Sequence, residues 1–127
     1  MKTREINSEN APQAAGGYAQ ALDVQDHSRL LFISGQIPVT KAGDTPNSFE
    51  EQARVAWENV VAQLHAADME IENLVKATIY LSDRKYAMPN RAARAAALGD
   101  HKTALTVIIA GIFDTEWLLE IEAIAAA

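Results

Sequence analysis

Apolar residues recur along the chain with two different periods, and the places where the period changes mark its elements. Leu74 to Leu81 sets Val75, Ala77, Ile79 and Leu81 against Lys76, Thr78 and Tyr80, an alternation of period two that predicts a strand. Ala104 to Ala110 and Leu118 to Ala125 read the same way, separated by Gly111 to Glu116. Helical spacing governs Ala53, Trp57, Val60, Leu64 and Ala67, with Glu50, Glu51, Arg54 and Glu58 largely off that stripe. This predicts an amphipathic helix of about five turns ending near Asp68. It opens at Ser48, a candidate N-cap, with Glu51 three residues on as in a capping box. A second helix is expected from Tyr86 to Leu98, with Pro89 in its first turn and Gly99 as its stop. Its interior is mostly alanine, which would permit close approach to a sheet. Near the start, Thr3 to Ile6 reads as a strand, and Ser8 to Gly17, with Pro12 and two glycines, as an irregular loop. Tyr18 to Val24 and Arg29 to Ser34 flank the polar interval Gln25 to Ser28, which is of hairpin length and predicts an antiparallel pair. The order β, ββ, α, β, α, ββ gives an α+β domain with two helices on one face of a mixed sheet.

A helix-covered sheet has a second face. In the penultimate strand Leu105, Val107 and Ile109 share one side and Thr106 and Ile108 the other, so both sides are substantially apolar. With only two helices in the chain, the simplest cover for the remaining face is another copy of the same chain, and a homo-oligomer is expected.

At 127 residues and 13.8 kDa the chain fits one domain, 1–127, and 49% hydrophobic residues suffice for a core. Its 11 Lys and Arg against 17 Asp and Glu leave a net charge of −6, which opposes binding to nucleic acid phosphates. There is no cysteine, hence no disulfide, thiolate metal site or cysteine nucleophile. The first residues carry no apolar signal core and no apolar run is of membrane-spanning length, so the expected location is cytoplasmic, with no membrane partner.

Glu120 and Glu122 stand two apart on the last predicted strand, so both carboxylates leave one face with Cα atoms ~7 Å apart. That pair reads either as a general acid or base or as a solvated, ion-paired face. His27, His65 and His101 show no metal-ligand spacing, and no metal site is expected. Ser34-Gly35-Gln36 lacks a nucleophile-elbow context, and Gly16-Gly17 precedes a strand rather than a phosphate-binding helix. Arg84, Arg91 and Arg94 surround the second helix, the last two at i, i+3. They read as solvent-facing partners for the excess carboxylates, or one of them as a clamp for a substrate carboxylate. Trp57 and Trp117 read as packing residues.

Taken together, Asn10-Ala-Pro with Gly16, Tyr18, Gln20 and Ala21, then Leu31-Phe-Ile-Ser-Gly-Gln-Ile-Pro38, Phe49-Glu-Glu-Gln52, Asn90 and Glu120-Ile-Glu-Ala-Ile-Ala125 resemble the RidA superfamily, also called YjgF or L-PSP endoribonuclease-like proteins. The likeness spans nearly the whole chain. It implies a chorismate-mutase-like α+β fold, a homotrimer around an inner β-barrel, and small-molecule clefts between subunits. It also implies hydrolysis of enamines and imines such as 2-aminoacrylate to 2-keto acids and ammonia, without metal or organic cofactor. By the same resemblance Glu120 matches the water-positioning glutamate, and Tyr18, Gly35 and Asn90 match cleft positions. The family's carboxylate-gripping arginine lies in a segment that here reads Lys102-Thr-Ala-Leu-Thr106, so its place is taken by Leu105, beside Thr106. Gly17 and Ala19 also stand where proline and serine are usual.

Leu105 removes a charge-assisted bidentate contact and leaves an apolar wall. By the ~2 to 5 kcal/mol typical of losing one partner of a buried charge pair, a carboxylate there binds ~30-fold to several thousand-fold more weakly. The sequence therefore points to a RidA-like branch without this arginine: an imine or enamine hydrolase of altered substrate, not an efficient 2-aminoacrylate deaminase. The alternative is a non-catalytic metabolite-binding or regulatory trimer. Ribonuclease activity, which the older family name suggests, is opposed by the acidic charge and the missing basic, aromatic surface. Whether Arg91 or Arg94 replaces the lost charge is a question for the structure.

Overall fold

The longest apolar stripe forms its helix where its spacing requires. In the computed structural model, which describes residues 1–127, α1 runs from Phe49 to Ala66 and buries Ala53, Trp57, Val60 and Leu64. Ser48 caps it, its hydroxyl accepting the Glu51 N–H at 3.2 Å. The capping box is only half made, because the Glu51 carboxylate turns to Arg54 (2.7 Å), which also holds Glu58 (2.6 Å). That guanidinium holds the Glu51 carboxyl below its ordinary value. The second helix, α2, spans Ala87–Leu98 and stops at Gly99, whose φ of +58° favours glycine. Its alanines do not approach the sheet as expected. The stripe it buries is Asn90, Arg94 and Leu98, while Ala93 and Ala97 are half-buried against the core margin and the other alanines are exposed.

Six strands form two sheets. β1 (Lys2–Ile6) and β2 (Ala21–Gln25) make an antiparallel ribbon. β3 (Leu30–Gln36), β4 (Leu74–Leu81), β5 (Ala104–Ile109) and β6 (Leu119–Ala126) form a mixed sheet in the order β3-β6-β4-β5. Only β4 and β5, joined through α2, are parallel; the last two strands of the chain are therefore not neighbours. Both helices lie over one face of this sheet, where Ile33, Leu74, Ala77, Ile79, Leu119 and Ile121 complete the core. The fold is a small α+β domain, as the element order implies. No helix is long and apolar enough to cross a membrane.

The expected hairpin between the second and third strands does not form. β2 pairs with β1, and β3 joins the other sheet beside β6. The physical reason lies in what each strand can bury. β1 and β2 are exposed or half-exposed along their length and offer the core little, whereas β3 carries Leu31 and the buried Ile33 toward it. At the junction Asp26 takes a φ of +58°, and the N–H groups of Ser28 and Arg29 both donate to the Ala127 carbonyl at 2.8 and 2.9 Å. The polar interval thus steers the chain into the C-terminal strand instead of back along β2. Tyr18 is correspondingly outside β2, in the loop that precedes it.

One buried polar side chain fixes the approach to β6. Gln52 is 2% exposed; its amide donates to the carbonyls of Pro46 (2.9 Å) and Glu116 (3.0 Å), and its oxygen accepts the Leu118 N–H at 2.8 Å. A Gln52→Leu variant strands those three backbone groups, and urea denaturation is expected to find it less stable by roughly 2 to 4 kcal/mol, because the groups are only part-buried and water recovers some of the ~1 to 3 kcal/mol that each fully buried one would cost.

Candidate functional site

Strand β6 alternates with a strict period of two. Leu119, Ile121, Ala123 and Ala125 are buried under the helices, so Glu120, Glu122 and Ile124 face the other side of the sheet. Across the antiparallel pair, Tyr80 stands opposite Glu120 and Thr78 opposite Glu122. The Tyr80 hydroxyl reaches diagonally and donates to Glu122 Oε1 at 2.8 Å. That hydrogen bond, some burial, and the charges of Glu122 and Glu120 together push the phenol above its ordinary value.

Glu120 has no hydrogen bond or ion pair within the chain. Its carboxylate lies over Gly35 so closely that a Cβ on Gly35 would overlap it. The local backbone makes the room: between Ile33 and Gln36 the β3–β6 register shifts, three steps on β3 matching two on β6, as in a β-bulge. Two carboxylates of one strand face are thus treated differently. Glu122 is engaged by a phenol, and Glu120 is left with free lone pairs above a glycine.

The remaining sequence-derived positions gather elsewhere. The loop before β2 runs beside β5, with the Ala19 N–H donating to the Thr103 carbonyl at 3.0 Å and Ala19 bridging Ala104 in parallel. Tyr18, in this loop, accepts the Ala15 N–H at 3.4 Å and has the Arg94 guanidinium 5.9 Å from its ring centroid. A Cβ on Gly16 would come within 3.4 Å of Arg94 Nη2. Asn90 is buried one helical turn before Arg94, with its Oδ1 unpaired, and the buried Thr103 hydroxyl is unpaired as well. Leu105 packs against the core on the helix side, while its neighbour Thr106 faces the opposite side with Thr78.

Within one chain the structure therefore does not bring all these residues together. Glu120, Gly35 and Thr106 belong to the open face of the sheet; Tyr18, Asn90 and Leu105 belong to its helix side and the edge next to β5. Reading the arginines as solvent-facing fits Arg84 and Arg91, which are exposed, and fails for Arg94, which is 7% exposed. Its burial follows from α2 lying with Asn90, Arg94 and Leu98 inward, a rotation that the alanine-rich sequence does not reveal. Tyr80 was likewise missed as a site residue, because its partnership with Glu122 depends on strand register. His65 meets Glu70 at 3.0 Å on the surface, and His101 Nε2 contacts the Leu74 carbonyl at 2.7 Å, away from both clusters.

A depression of about 600 Å³ lies in the furrow between α1 and α2, lined by Trp57, Val61, Pro89, Ala93 and Ala97. Its only charged lining groups are Glu50, Glu58 and Arg54, so it offers volume without the convergent polar groups of a reactive site. A smaller hollow of about 280 Å³ on the open face includes Phe32, Lys76, Glu122 and Ile124.

An α+β domain with two helices on one face of a mixed sheet is the architecture of the RidA-type structures this chain superposes on. Residues 8–127 match the family Endoribonuclease L-PSP, and the chain belongs to this RidA/YjgF/L-PSP superfamily. A RutC family protein of Pyrococcus horikoshii is 34% identical over 122 residues, 94% of each chain. The 2-iminobutanoate/2-iminopropanoate deaminase of Escherichia coli is 38% identical over 82 residues, 64% of this chain and 62% of that protein. In several curated relatives the matched segment is 61% to 64% of the relative's length. The crystal structure of a Rid-family protein of unknown function from Yersinia pestis superposes with a TM-score of 0.84 over the whole of both chains at 22% identity, a likeness of fold.

The carboxylate pair yields a direct test. Difference absorbance at 295 nm against a Tyr80→Phe control is expected to place the Tyr80 titration above 10.0, the ordinary phenol value, and Glu122→Gln is expected to bring it back toward that value. Because the folded-state value is raised, the phenol's contribution to stability is present below the unfolded value and lost as pH rises through the folded one.

Proposed function

We propose that the protein hydrolyses a carbon–nitrogen double bond, as an imine or enamine deaminase of the RidA type, with Glu120 holding and deprotonating the attacking water. The observation that carries this reading is the Glu120 carboxylate seated over Gly35 with no partner of its own, beside a Glu122 that Tyr80 occupies. An enamine first takes a proton on carbon to become the iminium ion, the protonated imine. As water adds to the iminium carbon, Glu120 accepts one of its protons and passes it to the amino nitrogen, which becomes –NH3⁺. The carbinolamine then loses the proton of its hydroxyl, the C–N bond breaks, ammonia leaves and a ketone remains. Neither a metal nor an organic cofactor is required for these steps. The name of the Escherichia coli relative, a 2-iminobutanoate/2-iminopropanoate deaminase, supports the reaction class. Leu105, packed into the core margin, offers no anchor for a carboxylate, so 2-aminoacrylate is not the favoured substrate.

The site is a cleft between copies of the chain, here taken as a homotrimer. Support comes from the division of Glu120 and Gly35 from Tyr18 and Asn90 across the sheet, which a neighbouring copy would reunite. It comes also from the apolar surface left open: Phe32 is 71% exposed, Ile108 43% and Val107 40%. Light scattering after gel filtration is expected to give three times the mass of the 13.8 kDa chain, and Phe32→Glu to shift it toward the monomer.

For turnover, ammonia release from freshly generated imines is the measurement. Glu120→Gln is expected to lower the rate about 10²- to 10⁴-fold, the usual range for a lost general acid or base. Gly35→Ala, which displaces the carboxylate, is expected to lower it with little loss of stability. A rate unchanged by Glu120→Gln on every imine tried would leave the ligand-binding trimer as the better reading.

A further inference from the structure

We propose that Tyr80 is a positioning residue for Glu120: by donating its hydroxyl to Glu122 it ties down the second carboxylate of the pair, so that Glu120 takes up and gives back a proton by itself. The inference rests on the functional reading above and adds what keeps the base free.

Two glutamates on one strand face are prone to act as one group. With Cα atoms ~7 Å apart, as for residues i and i+2 of a strand, their side chains are long enough to bring the carboxyls together, and carboxyls that meet share a proton. Such a pair titrates as a unit, and neither member is a base in its own right until the shared proton has gone. A water-holding glutamate with a twin beside it therefore needs the twin to be kept elsewhere.

The sheet supplies the means. Tyr80 stands directly across the β4–β6 pair from Glu120, at the ~4.5 to 5.5 Å Cβ separation of cross-strand neighbours, so Glu120 is the carboxylate beside its ring. The hydroxyl nevertheless goes to the diagonal position and donates to Glu122 Oε1 at 2.8 Å. Both charges are felt at the phenol, whose affinity for its proton is raised first by the Glu122 hydrogen bond, then by burial and by the charges of Glu122 and Glu120. The donor nearest Glu120 is thus committed to its twin, and the lone pairs of Glu120 stay open.

Neighbouring strands offer no substitute. On one side β3 carries no titratable side chain, Gly35 has none at all, and the Gln36 amide donates to the Ser34 carbonyl at 2.9 Å. On β4, Lys76 lines the same hollow as Glu122 but forms no ion pair with it. On β5, Thr106 and Ile108 stand in register with Thr78 and Tyr80, and the strand carries no titratable group. Tyr80 is the side chain that hydrogen-bonds the pair, and it does so at one member only.

The test is an NMR titration of the full-length protein, isotopically labelled at the glutamate carboxyl carbons, with the two signals assigned through Glu120→Gln and Glu122→Gln. In the unaltered protein each signal is expected to follow one step of its own. In Tyr80→Phe, which keeps the ring and removes the hydroxyl, both signals are expected to respond to both steps, as coupled groups do. Coupled behaviour in the unaltered protein overturns the proposal, as do identical titrations with and without the hydroxyl. The first of these needs no change at Tyr80, so it decides even where Tyr80→Phe does not fold.

Ammonia release from freshly generated 2-iminobutanoate is the second readout. The acid limb of its pH profile is expected to move up by about one pH unit in Tyr80→Phe, because a shared proton persists to higher pH. Adding Glu122→Gln is expected to bring the limb back down, since no twin is left to share the proton. A rate that falls at every pH in Tyr80→Phe, with or without Glu122→Gln, marks a merely structural role and overturns the proposal. The titration does not depend on turnover, so the two readings fail separately. Coupling that appears only in Tyr80→Phe, with a rate indifferent to Glu120→Gln, keeps the role of Tyr80 and refutes that of Glu120 in catalysis; identical titrations with a rate lost in Glu120→Gln do the reverse.

Discussion

Strand β6 has no free edge. β3 and β4 flank it, so its backbone polar groups are committed to ladders on both sides, and its side chains have only the two faces of the sheet to occupy. Under that constraint, alternation becomes a partition. Leu119, Ile121, Ala123 and Ala125 must fill the space beneath the helices, and every residue between them is forced to the other side. Glu120 and Glu122 are held where they are by their apolar neighbours in sequence more than by anything they touch. A slip of one residue would drive both carboxylates into the core, at a cost no small domain could bear. The position of Glu120 is thus secured by the same apolar side chains that secure the fold.

The partition also explains why so much apolar surface stays open. The helices satisfy one face, and α2 satisfies only part of β5, leaving Val107, Ile108 and Ile109 exposed on both sides of an edge strand. Phe32 lies on the same open face as the carboxylates. Apolar surface of this kind is costly to leave in water. The polar groups divide in the same way, with a free glutamate on one face and the unpaired Asn90 and Thr103 oxygens on the other side.

Residues whose role follows from period were legible in the sequence. The α1 stripe, the β4 alternation, the Gly99 stop and the shared face of Glu120 and Glu122 all come from spacing alone, and the order of motifs pointed to the family. What depended on long-range choice was not. β2 and β3 are separated by an interval fit for a hairpin, yet the apolar content of β3 and the carbonyl of Ala127 direct β3 to β6. The Tyr80–Glu122 bond joins residues 42 apart in sequence through a register that no local signal encodes. Arg94 is the sharpest case. In a run of alanines nothing marks which arginine faces inward, and the usual preference of arginine for water argues for the wrong answer.

Leu105 and Arg94 make sense together. On the helix side of the sheet, the Leu105 side chain packs against the core and contributes apolar burial at β5. A buried cation is then found on α2, the element that covers the same side. An unpaired guanidinium so placed costs stability, because its donors lose water on burial and no carboxylate of the chain pairs with it.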